Sequence, residues 1–148
     1  MKKLLMKLKE RCYATIPELT KGFVEMKGCW YKDNHSNILA VAHMDTVQNK
    51  DNFGICKLEK NTLVFSPKLD DRLGVFTLLD FLPSLGLDFD VLLTTDEEKC
   101  KSTARAFVSE KDYNWMFSFD RAGTDAVVYE YEDKEWTTAI ESVGFKVG

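Results

Sequence analysis

Apolar residues along the chain switch repeatedly between helical and strand-like spacing. Leu4, Leu5, Leu8 and Cys12 recur at intervals of three and four, with Lys2, Lys3, Lys7 and Lys9 on the remaining faces. That is the pattern of an amphipathic helix laid on a sheet. Thr15, Ile16 and Pro17 read as the cap and first turn of a second helix over 15–27, stopped by Gly28. Residues 29–32 and 37–44 are strand-like and flank the polar turn Asp33, Asn34, His35, Ser36, which predicts a hairpin. A second hairpin is predicted from 55–58 and 63–65 around Lys60 and Asn61. Leu73, Val75, Phe76, Leu78, Leu79 and Leu82 then cover one broad face of a helix over 71–82, ended by Pro83 and Gly86. A buried strand (89–95), a helix (99–110), two strands (115–119 and 126–131) and a last helix (134–143) complete the reading. Strands alternating with helices predict an α/β fold, with a mixed, mostly parallel central sheet and helices on both faces.

A length of 148 residues fits one domain, and no linker, repeat or low-complexity tract divides it. The chain is 45% hydrophobic and 30% charged, the composition of a globular protein with a real core. Twenty basic against 24 acidic residues give a net charge of −4 and no basic stripe, which argues against a nucleic-acid partner and for a small molecule or peptide. No apolar run reaches the roughly 18 residues of a membrane span. The opening MKKLLMKLKE is too poor in aliphatic residues for a signal peptide, so a cytoplasmic location is expected. Cys12, Cys29, Cys56 and Cys100 form no CxxC pair and read as free thiols in or near the core.

Acidic residues collect where the predicted strands end. His43 and Asp45 follow one strand, Asp70 and Asp71 precede the long helix, Asp96, Glu97 and Glu98 follow 89–95, and Asp120 follows 115–119. In sheets of this class side chains from several segments converge just beyond the strand ends. His43 and Asp45, two apart, project from the same face of a strand, so an imidazole could bind a metal while the carboxylate fixes its tautomer. Each acidic pair also has a simpler reading, as a helix N-cap and first-turn acids held by the dipole. What those simpler readings leave unexplained is an acid at every strand exit, with His-x-Asp first. A pair of divalent ions needs a bridging carboxylate, further ligands on each ion and a free carboxylate as base for the shared water.

The stretches AHMDTV (42–47), LDDRLG (69–74), TTDEE (94–98) and FDRAG (119–123), in that order, resemble the co-catalytic zinc exopeptidase superfamily. Its aminopeptidases, dipeptidases, carboxypeptidases and deacylases share one α/β catalytic domain. The resemblance spans about residues 36–131. It implies zinc as cofactor, with His43 and Asp120 on the first ion, Asp70 bridging through a residue joined to Asp71 by a cis peptide bond, and Glu98 on the second ion. Asp45 would orient His43, and Glu97 would be the general base. The implied reaction is hydrolysis of a peptide or amide bond in a peptide or N-acyl amino-acid-like substrate.

The resemblance also implies two differences from the family. No gap here is long enough for an inserted lid or dimerisation domain. The family's second zinc takes a histidine near the end of the domain, whereas this chain has none after His43 and ends at Gly148. A single catalytic-type domain lacking its C-terminal segment is therefore expected, with one zinc rather than two, weak or no activity, and self-association through an exposed sheet edge. The alternative is a non-catalytic fragment or pseudoenzyme of the same fold. His35 lies eight residues before His43, roughly 26 Å along a strand, and reads as a turn residue. A metal-free glycosidase with paired carboxylates would leave His43 and Asp45 idle.

Overall fold

The computed structural model describes residues 1–48, 50–123, 125–128 and 134–147. The N-terminal amphipathic pattern forms α1 (Lys2–Tyr13), whose Leu8 and Cys12 are buried. Thr15 and Glu18 close a capping box at the start of α2 (Ile16–Leu19), with Pro17 in its first turn. The predicted helix over 15–27 stops there. The chain turns through Gly22 at positive φ and enters β1 (Val24–Met26). Lys27 and Gly28, with φ of 52° and 85°, make the two-residue turn into β2 (Cys29–Lys32). Positive φ at both turn positions suits the twist of a tight hairpin, and it explains why Gly28 belongs to a hairpin and not to a helix end.

The remaining elements are β3 (Ile38–His43), β4 (Gly54–Lys57), β5 (Thr62–Phe65), α3 (Leu69–Phe76), one π-helical turn (Thr77–Phe81), α4 (Leu82–Ser84), β6 (Asp90–Thr94), β7 (Trp115–Phe117) and α5 (Lys134–Ser142). β4 and β5 form the predicted second hairpin as a separate two-stranded sheet. The long helix appears as the continuous run from α3 to α4, with Pro83 in its last short element. A cis peptide bond joins Asp70 to Asp71.

The main sheet has the order β1-β2-β6-β3-β7. β2 and β3 are therefore not a hairpin: β6 lies between them, antiparallel to β2 and parallel to β3. Their connecting turn is held by the buried Asp90 at the start of β6, which accepts from Asn34 N at 2.8 Å and Ser36 N at 3.1 Å. β7 pairs parallel with β3. The sheet is thus evenly mixed rather than mostly parallel, because a hairpin and not a helix precedes β2.

Side-chain alternation on the central strands separates two layers. Ala40, Ala42 and Met44 from β3 and its exit, with Val91 and Leu93 from β6, pack against Val75 and Leu78 of the long helix. The small alanines leave room for that helix to lie close. Leu39 and Leu92 face the other way, onto Cys29, Phe107 and Tyr113. That second layer differs from expectation: the predicted helix over 99–110 reduces to a 3-10 turn (Thr103–Ala106), and coil covers the rest. α5 meets the β7 edge, where Trp136 packs 5.7 Å from Trp115. Of the strand expected over 126–131, Ala126 makes one parallel bridge to Val147, and 129–131 lie outside the described residues. Cys12 and Cys29 are buried, but Cys56 and Cys100 are exposed, so only two of the thiols lie in the core. Among the described residues no helix is long and apolar enough to cross a membrane.

Candidate metal centre at the strand exits

β3, β6 and β7 run parallel, so their C-terminal ends open on one side of the sheet. His43 is the last residue of β3 and is 4% exposed. Past β6 the chain makes a tight turn at Asp96, which has φ of 61°, and this places Glu97 and Glu98 beside the end of β3. Thr95 fixes the exit by donating its N–H to Thr103 Oγ1 at 3.0 Å and accepting from Thr103 N at 2.9 Å. Asp70 comes from the first turn of α3, and Asp120 from beyond β7.

These segments meet at His43. Its Nε2 lies 3.2 Å from Asp70 Oδ1, 3.6 Å from Asp120 Oδ2 and 3.8 Å from Glu97 Oε2. On the other ring nitrogen, Nδ1 lies 3.0 Å from the backbone oxygen of Asp45 and 3.4 Å from its Oδ1. A proton on Nδ1, donated to that carbonyl, leaves the Nε2 lone pair directed at the carboxylates. Asp45 thus orients the imidazole through its main-chain carbonyl and not, as expected, through its carboxylate, whose Oδ1 lies beside the same nitrogen without a hydrogen bond. Its Oδ2 accepts from Glu98 N at 3.2 Å and ties the two strand exits together.

Two ligand sets emerge, His43 with Asp70 and Glu98, and His43 with Glu97 and Asp120. Within each, one donor atom per residue lies within 4.8 Å of the others. Every expected site residue is therefore brought to one place. Glu97, expected as a base alone, also stands where it could ligate. His35 is exposed, has φ of 62° and lies 3.4 Å from Asp33, as a turn residue.

Burial disfavours the protonated form of His43, yet the carboxylates of Asp71, Asp120, Asp45 and Glu97 outweigh that effect and raise its pKa. Asp120 is raised by burial and by the neighbouring Asp70. Asp71 is pushed up to about 7, by burial first and by the charge of Asp120 second. This crowding of negative charge is what a divalent cation would relieve. Two buried oxygens at the centre, Asp45 Oδ1 and Glu98 Oε1, accept no hydrogen bond. Asp45 Oδ1 lies on the Nδ1 side of the ring, but the orphaned Glu98 Oε1 belongs to a ligand set and fits a metal ion, with zinc's usual N and O donors available.

Two residues beside the centre have no site role in the sequence reading: Asp71, read there as an acid of the helix start, and Arg72, which it does not single out. Asp71 is 3% exposed and caps α3 by accepting from Gly74 N at 2.9 Å, while its Oδ2 has no donor. Arg72 is 8% exposed. A signal for Arg72 was present, because it falls three, four and seven residues before Val75, Phe76 and Leu79, placing a charge on the apolar face of the helix. Comparison of the chain with protein-family models, with curated proteins and with solved structures finds no match.

Proposed function

We propose that the chain is a zinc-dependent hydrolase of peptide or amide bonds, with its centre at His43. The observation that carries this reading is the convergence of carboxylates from three separate segments on one buried imidazole, with Glu98 Oε1 left without a donor. His43, Asp70, Glu98 and Asp120 would hold the metal. A bound zinc supplies a polarised water and a Lewis acid for the substrate carbonyl. Glu97, with its side chain about half exposed at the mouth, takes the water's proton and returns it to the leaving amine. Asp45 keeps His43 in one tautomer through Nδ1.

Both ligand sets use the same imidazole. This favours one ion over two; the second reading is a non-catalytic relative of such hydrolases that keeps the fold with one metal or none. Zinc titration by calorimetry, with an assay on aminoacyl and N-acyl amides, separates the readings. Tight zinc binding with turnover supports the hydrolase. Binding without turnover, or no binding, supports the second reading and overturns the hydrolase.

A further inference from the structure

The fold gathers positive charge on one face of an acidic protein. Residues 1–11 and 50–68, far apart in sequence, hold nine of the 20 basic residues and only three of the 24 acidic ones. They meet because Val64 of β5 and Phe53, just before β4, pack on the cluster of Leu8, Cys12 and Phe76. At the start of α1, Met1 Sδ accepts from Thr62 Oγ1 at 3.9 Å, and Lys57 is the cross-strand partner of Thr62. The first lysines of α1 therefore stand beside the turn end of the β4–β5 hairpin. The rest of the chain, with 11 basic against 21 acidic residues, carries the opposite excess.

Much of this positive charge is uncommitted. Lys7 and Arg11 hold Asp80, and Lys68 holds Asp51. Lys2, Lys3, Lys50, Lys57 and Lys60 are exposed and make no ion pair among the described residues. Apolar side chains stand between them: Met1 is 86% exposed, Leu58 51% and Leu63 54%. Leu58 and Asn61 close the exposed hairpin turn through mutual backbone bonds of 2.9 and 3.3 Å, which fixes Leu58 and Lys60 next to each other at its end. Strand alternation turns Val64 toward α1 and sends Leu63 and Phe65 the other way, into solvent.

Charge decides what could cover this surface. A second copy docking through the same face would set two lysine clusters against each other. An acidic protein would have to offer a shaped apolar pocket among its carboxylates. A bilayer with anionic headgroups meets both needs at once, since its phosphates take the ammonium groups while the acyl boundary takes the apolar tips and the lysine stems.

We propose that the hairpin turn and the start of α1 form a docking surface for an anionic phospholipid membrane. Leu58 and Leu63 enter the headgroup boundary, and Lys2, Lys3, Lys57 and Lys60 lie on the phosphates. This is attachment to a surface and needs no spanning helix. None of these residues belongs to the metal centre, so the inference stands apart from the hydrolase reading.

The test is co-sedimentation of the full chain, without zinc, with vesicles of phosphatidylcholine alone and with vesicles containing about one-third phosphatidylserine. Binding is expected to the mixed vesicles only, and it should fall as salt rises from about 0.1 M to about 1 M. Lys57→Gln with Lys60→Gln should weaken it by about 20–30-fold. Lys32→Gln with Lys134→Gln, the same charge change on exposed positions of β2 and α5, should leave it unaltered. Leu58→Ser with Leu63→Ser should weaken it by about tenfold or more at low and high salt alike. No binding, equal binding to both vesicle types, or full affinity in the Lys57 and Lys60 variant overturns the proposal. Binding to poly-L-glutamate as tight as to the mixed vesicles would also overturn it and assign the face to an acidic protein. Vesicle binding by a protein that takes up no zinc would leave this inference standing while the hydrolase reading falls, and zinc binding without vesicle binding would do the reverse.

Discussion

Arg11 and Asp80 join α1 to the long helix through a two-pronged contact, Nε to Oδ2 at 2.7 Å and Nη2 to Oδ1 at 3.4 Å. Lys7 adds a third bond to Oδ1 at 2.8 Å, and the Asp80 side chain is only 4% exposed. Burial alone would raise the Asp80 pKa, but the bonds from Arg11 and Lys7 outweigh it and hold it below the ordinary value. The stabilisation is therefore complete above the unfolded aspartate pKa of about 4 and is lost as pH falls through the lower folded value. Asp80→Asn should cost about 2–3 kcal/mol at neutral pH, discounted for the partial exposure of Lys7 and Arg11. Urea unfolding at pH 7 and pH 3 checks this: the gap between wild type and variant should narrow in acid.

Gly74 is fixed by contact rather than by backbone conformation. A Cβ there would collide with the Asp71 carboxylate, which accepts the Gly74 N–H. Gly74→Ala should destabilise the protein by about 1–3 kcal/mol, although alanine is the better helix former. Denaturant midpoints with an unchanged m-value would establish that the loss is local. Greater stability in the variant would mean that Asp71 does not cap the helix.

Substitution of the adjacent glutamates distinguishes base from ligand. Glu97→Gln should abolish turnover while leaving zinc affinity nearly unchanged, and Glu98→Gln should weaken zinc binding as well. Calorimetry and a hydrolysis assay on the same samples are the measurements. Loss of zinc with Glu97→Gln alone would assign Glu97 as the ligand it is placed to be and remove it as the base.

Since His43 belongs to both ligand sets, His43→Ala should lower zinc affinity by at least about 100-fold, more than loss of any single carboxylate. Zinc at one hundred times its dissociation constant should raise the melting temperature of the wild-type protein by roughly 5–10 °C. A chelator should reverse the rise, and His43→Ala should show none of it.

The parts of the molecule legible in its sequence are those where local pattern and final partner agree. α1 declares itself by its stripe, the second hairpin by its turn residues and the strand exits by their acids. The fully buried β6 reads as an apolar run, but its place between β2 and β3 does not, because register between distant segments is written in no local period. The segment 99–110 has helical composition and yet mostly lacks helix. Its Phe107 and the Tyr113 that follows it are committed to the second face of the sheet, and Lys111 bonds Asp33 and Asp90 at the far end. Asp90 was missed for a related reason. A carboxylate inside an apolar strand looks like an interruption until Tyr31, Tyr113 and Lys111 are seen to satisfy it.

The strand order has a consequence for how the centre comes into being. β2 and β3 cannot pair with each other, and each must wait for β6, so the middle of the sheet is left unfilled until the chain has been synthesised through residue 94. Contacts this distant in sequence form late and slowly compared with local ones. The same closure that seats β6 beside β3 also carries Glu97 and Glu98 to His43. A nascent chain stopped before β6 would carry the imidazole without the two glutamates that the finished fold sets beside it.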